Sequence, residues 1–134
     1  FNSTAVRDHL NVSRKTLVEL AGARQRNIND EFTEALTRAI GLLDAIREHF
    51  ESGHTTDTRK LEDSLTGLER MLNQALLSAV STTELDTAKK ELQAQLKPYR
   101  SHMEKSVYNQ TVENLLLKRF REQFGIPRLS LFYL

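Results

Sequence analysis

The chain has no cysteine and no tryptophan, and only two prolines and five glycines in 134 residues. Without cysteine there is no disulfide, no thiolate metal site and no thiol redox chemistry. So few helix breakers leave room for long helices. No alternating apolar–polar run of strand type occurs before the last six residues. No stretch of about 18 apolar residues exists, so no transmembrane helix is expected. A signal-peptide core is also missing; the compartment stays open, with the cytoplasm favoured. Neither sign of charge dominates: 19 Lys and Arg face 18 Asp and Glu.

That balance hides an uneven layout. Residues 1–28 hold five basic and two acidic side chains, residues 29–97 hold eight and thirteen, and residues 98–134 hold six and three. Neither end reaches the dense basic footprint of a strong nucleic-acid binder. At this length a single domain over residues 1–134 is expected, large enough to bury about two thirds of its unfolded surface.

What the chain has in abundance is helical periodicity. Leu61, Leu65, Leu68, Leu72, Ala75 or Leu76, and Ala79 recur at alternating spacings of four and three. That places one apolar stripe on one helix face, which must meet partner helices. A second face reads Phe32, Leu36, Ala39 or Ile40, Leu43, Ile46 and Phe50. Gly53 suits the left-handed position after that helix, and Thr56 or Asp57 suits the cap of the next. Toward the N-terminus, Ser3 or Thr4 can open a helix bearing Val6 and Leu10. A break is expected at Asn11-Val12-Ser13, and a bend near Gly22, before a face running from Leu17 to Arg24 gives way to polar Gln25-Arg26-Asn27. Ser81 and Glu84 have the spacing of a capping box. The face that follows reads Leu85, Ala88, Leu92, Leu96, Tyr99, Met103 and Val107, then Leu115 and Phe120 or Phe124. Pro98 should kink or break it. Gly125 closes the helix and Pro127 prevents a restart. The expected fold is an all-α antiparallel bundle, coiled-coil-like, of three to five helices with bends near Gly22 and Pro98.

Sites for chemistry are scarce. His9, His49, His54 and His102 show no i, i+4 pairing of the helical metal-site type. Glu51 and His54 have the Glu-x-x-His spacing of di-iron bundles, but only once, and across Gly53. Arg47 and His54 make at most a loose ribonuclease-like pair. The carboxylates Glu31, Glu34, Asp44, Glu62, Asp63, Glu69, Glu84 and Asp86 fall on the polar sides of the stripes, without the burial that tunes a general acid or base. There is no glycine-rich phosphate loop and no nucleophile motif. No enzyme activity, cofactor or metal is expected. Three Asn-x-Ser/Thr sequons, at Asn2, Asn11 and Asn109, would matter only in a secreted protein.

One local pattern points to DNA. Leu10-Asn11-Val12-Ser13-Arg14-Lys15-Thr16-Leu17 resembles the turn and recognition helix of bacterial helix-turn-helix proteins. The resemblance covers about one eighth of the chain. It implies that Val12 and Leu17 pack inward, while Ser13, Arg14, Lys15 and Thr16 face phosphates and base edges.

The apolar tail, residues 128–134, must dock on the bundle or on another chain, because it would be sticky in water. Leu129, Leu131, Phe132, Tyr133 and Leu134 are its candidate partner-binding residues. The leading expectation is a non-catalytic interaction or assembly module, a subunit or domain of a larger complex with a protein partner or self-association. The alternative is a DNA-binding regulator with a coiled-coil dimerisation region.

Overall fold

The computed structural model describes residues 2–22, 30–53 and 57–134. The chain forms α1 (Ser3–Gly22), α2 (Asp30–Glu51), α3 (Thr58–Ala79), α4 (Thr82–Leu96) and α5 (Lys105–Phe124). Short 3-10 turns cover Lys97–His102 and Leu131–Tyr133. Among the described residues there is no strand. Helix α1 packs on α2, α2 on α3, α3 on α5 and α5 on α4. Short connections make chain neighbours antiparallel, and the result is an all-helical bundle.

The stripes close on one another as their periods require. Leu61, Leu65, Leu68, Leu72 and Leu76 of α3 are all buried, as are Phe32, Leu36 and Leu43 of α2. They join Val6, Leu10 and Leu17 of α1 and Phe120 and Phe124 of α5 in one apolar cluster. Each such side chain contributes on the order of 1.5–3 kcal/mol by leaving water.

The helix starts follow side-chain capping. Asp57 accepts the Arg59 N–H at 2.9 Å, and Ser81 accepts the Glu84 N–H at 3.2 Å. Helix α1 is capped one step earlier than expected: Asn2 Oδ1, rather than Ser3 or Thr4, accepts the Thr4 N–H at 2.8 Å. Thr56 and the whole polar stretch after Gly22, with Arg24, lie outside the described residues.

Two expectations are corrected. Helix α1 does not break at Asn11-Val12-Ser13; it runs unbroken to Gly22. Ser13 is itself buried, completing the row Val6, Leu10, Ser13, Leu17, Leu20. A continuous buried row outweighs the few tenths of a kcal/mol by which Asn, Val and Ser trail better helix formers. The face after Ser81 is not one stripe either. Pro98 sits in the first turn of the 3-10 segment Lys97–His102, where its missing N–H costs little. Extended Met103 and Glu104 then reset the register before α5. Tyr99 and Val107 are consequently exposed, and the buried row of α5 is Tyr108, Val112, Leu116, Phe120 and Phe124. The chain folds back at this elbow, so α4 lies against α5.

Candidate functional site

Beside the leucine stripe, α3 carries a second row at the same spacing: Glu62, Thr66, Glu69 and Asn73. The leucines turn toward the core, so this polar row lies on the shoulder of the helix. There it meets the end of α5 and the tail. Helix α5 stops at Gly125, whose φ of 71° is the left-handed value that glycine takes without a Cβ penalty. The Ile126 N–H returns to the Arg121 carbonyl at 2.9 Å, closing the helix end. From there the tail turns back across α3.

The two carboxylates of the polar row hold the tail by its backbone. Glu69 Oε1 accepts the N–H of Leu129 at 2.6 Å and of Ser130 at 3.1 Å. Glu62 Oε2 accepts the Leu131 N–H at 2.7 Å, and Glu62 Oε1 accepts the Ser130 hydroxyl. Three consecutive backbone N–H groups thus converge on two anionic side chains. Such groups form an anion-binding concavity, here filled from within the chain by charge-assisted bonds. The Thr66 hydroxyl donates to the Glu62 backbone carbonyl at 2.8 Å and lies 3.2 Å from Glu62 Oε1. From α1, the His9 Nε2 donates to the Leu129 carbonyl at 2.8 Å.

Cations complete the arrangement. Arg128 Nε forms an ion pair with Glu69 at 3.4 Å, and its guanidinium lies 4.2 Å from the centroid of the Tyr133 ring. Arg121 is buried and donates to Asn73 Oδ1 at 2.6 Å. Burial, then the nearby charge of Arg128, push its guanidinium below the ordinary arginine value, against the pull of Glu69 and Tyr133.

The candidate tail residues therefore divide. Leu129 and Leu131 sit in the chain's own core, at 0% and 1% exposure. Strand-like alternation fails because Ser130 is buried between them and the chain turns 3-10 at Leu131. Phe132, Tyr133 and Leu134 stay in water at 80%, 56% and 50% exposure. Beside them an open cleft of about 480 Å3 is lined by Glu62, Thr66, Glu69, Arg128, Phe132 and Tyr133, among others. A separate groove of about 350 Å3 between α2 and α3 exposes Leu42, Ile46, Met71 and neighbours.

The helix-turn-helix geometry is absent. The turn it needs lies in mid-helix, Val12 points to solvent at 63% exposure, and Ser13 is buried. Arg14 pairs with Asp44 of α2, and the Thr16 hydroxyl returns to the Val12 carbonyl at 3.0 Å. Lys15 is exposed. The four residues thus point to different surroundings and do not form one reading face.

Among the described residues no group of three or more His, Asp or Glu side chains is placed to hold a metal ion. No described helix is long and apolar enough to cross a membrane. His54, and with it the Glu51–His54 and Arg47–His54 pairs, lies outside the described residues. Asn11 and Asn109 lie inside α1 and α5.

Glu62 and Glu69 are the residues that the stripe analysis assigned to the solvent side, and that the structure brings onto the tail. A signal was present. A polar row in step with an apolar row marks a helix shoulder that meets backbone or charge rather than water. Compared with known proteins, the chain matches no protein-family model, no curated protein and no solved structure.

Proposed function

We propose that the chain is a non-catalytic helical interaction and assembly module, a subunit or domain of a larger complex, whose contact surface is the end of its tail. One observation supports this reading above the rest. The carboxylates of α3 pin residues 129–131, and the next three residues, all large and apolar, are held out in water. A neighbouring set of exposed apolar side chains on an anchored segment is the signature of a contact surface. The leucine stripe of α3 is consumed inside the bundle, so association falls to other surfaces.

The test is the solution mass of the full chain against the double variant Phe132→Ser/Leu134→Ser. Neither side chain is buried, so the variant should keep its melting temperature, with stability changed by no more than about 0.5 kcal/mol. It should lose self-association, or lose the partner with which the wild-type chain co-purifies. Identical mass and identical co-purification would refute the reading.

A further inference from the structure

Among the described residues, every hydrogen bond that ties Leu129, Ser130 and Leu131 to the helices ends on α1 or α3. None ends on α5, the helix from which the tail issues. The acceptor and donor residues stand 60 to 120 positions away along the chain. The link to α5 is three residues, Gly125 to Pro127, with Ile126 buried in the core. Gly125 and Ile126 spend their N–H groups closing the helix, and Pro127 has none to give. Beyond Pro127 the tail lies in a socket built by α1 and α3.

That socket reads a defined chemistry. It takes two leucine side chains into the core, three consecutive backbone N–H groups and one hydroxyl onto Glu62 and Glu69, and one carbonyl onto His9. We propose that it is a peptide-recognition site for the segment Arg128–Leu131, and that its occupant in trans is the tail of a second copy of this chain. The proposal rests on the interaction-module reading and deepens it by naming the partner. Two copies exchanging arms form an isologous pair, each supplying one tail and one socket. Exchange sacrifices none of these bonds, because the same donors meet the same acceptors. The tail in cis competes at an effective concentration in the mM range. Exchange therefore appears at high protein concentration, or on refolding together, and recedes on dilution.

The absence of cysteine allows a direct test on the full chain. Thr66 and Tyr133 line the same cleft. One chain carries Thr66→Cys, a second, isotopically heavy chain carries Tyr133→Cys, and the two are refolded together and gently oxidised. A third chain with Lys90→Cys, at an exposed position of α4, paired with Tyr133→Cys, reports chance collision. Arm exchange predicts a mixed disulfide between Thr66→Cys and Tyr133→Cys chains several-fold above the collision pair, rising with concentration. Adding Glu62→Gln and Glu69→Gln to the Thr66→Cys chain should reduce that yield toward the collision level. A chain carrying both cysteines should close internally when dilute, showing that the tail meets the cleft. Internal closure with the mixed link at collision level at every concentration overturns arm exchange. The same holds if internal closure fails. Either result leaves the module reading to the mass of the Phe132→Ser/Leu134→Ser variant, so the two ideas fail separately.

Discussion

Glu69 accepts the backbone N–H of Leu129, sixty residues further along the chain, at 2.6 Å. Glu69 is among the few charged side chains buried in this molecule. It remains tolerable there because Arg128 pairs with it and two backbone donors solvate it. The contact fastens the last turn of the chain to the central helix, so tail position and core integrity are linked.

Removing that acceptor should show the linkage. Glu69→Ala strands the Leu129 and Ser130 N–H groups and the charge of Arg128. Each buried group left unsatisfied costs roughly 1–3 kcal/mol. Glu69→Gln keeps an oxygen in place and loses only the charge, so its cost should be smaller. Urea unfolding midpoints should rank wild type above Gln above Ala. Equal midpoints for all three would show that the tail contributes nothing to the fold.

Ser130 gives a sharper probe of the same anchor. Its hydroxyl donates to Glu62, so Ser130→Ala should cost only about 0.5–1.5 kcal/mol. Ser130→Asp sets a second negative charge against Glu62 with Glu69 close by, and should expel the tail. Amide hydrogen exchange at Leu129, Ser130 and Leu131 should then accelerate strongly while the α2 and α3 amides stay protected. Unchanged protection at those three amides in the Asp variant would contradict the anchor.

The core carries its own prediction. Leu72 is 1% exposed in the middle of the stripe, so Leu72→Ala should cost about 2–5 kcal/mol. Leu72→Asp should leave the chain unfolded, since the charge would find no partner. A helical spectrum and melting temperature equal to wild type would remove α3 from the core.

The fold was legible where apolar spacing repeats without interruption. Leu61 to Leu76 and Phe32 to Leu43 are buried as their spacing requires, and Ser81, Asp57, Gly53 and Gly125 mark helix ends as their chemistry suggests. Reading failed where a local preference met a tertiary demand. Ser13 looked like a turn residue, yet it occupies a core position in the buried row of an unbroken helix. The stripe through Tyr99 and Val107 carries one register across the break expected at Pro98, and extended Met103 and Glu104 shift the phase there. The tail's destination was open because alternation says which residues share a side, not what they face. Glu69 looked solvated because a carboxylate beside leucines is usually so. Its burial depends on Leu129 and Arg128, which sit 60 residues away and just beside that position.

Asp44 ties α1 to α2 and carries a pH signature. The hydrogen bond from Arg14, with further help from Arg47 at 3.1 Å, holds the Asp44 carboxyl below its ordinary value, while burial opposes the shift. A depressed value in the folded state adds stability above the unfolded value, near 4. That contribution is lost as pH falls through the lower folded value. Both partners are about two fifths exposed, so the effect should be small. In melting temperature against pH, wild type should lose ground to Asp44→Asn only below about pH 4 and keep a constant lead above about pH 5. Parallel curves throughout would show that the pair adds nothing.

The DNA reading is tested on α1. If Ser13, Arg14, Lys15 and Thr16 entered a major groove, the chain would bind duplex DNA with an affinity falling steeply with salt. Arg14→Ala/Lys15→Ala would then weaken binding, with loss of sequence preference if either side chain touched a base. The structure leads to the opposite expectation. Arg14 is committed to Asp44, Ser13 is buried, and the turn that would lift these residues onto DNA is continuous helix. Val12 separates the two cases by stability alone. It belongs to the core in the helix-turn-helix arrangement and lies 63% exposed in this bundle. Val12→Ser should therefore change stability by no more than about 0.5 kcal/mol, as surface substitutions do. The Arg14→Ala/Lys15→Ala chain should match wild type in a fluorescence-anisotropy titration with duplex DNA at physiological salt, neither binding appreciably. Tight, sequence-dependent binding by wild type that the double variant loses, joined to a large destabilisation by Val12→Ser, would require α1 to rearrange into two helices and would make this chain a regulator.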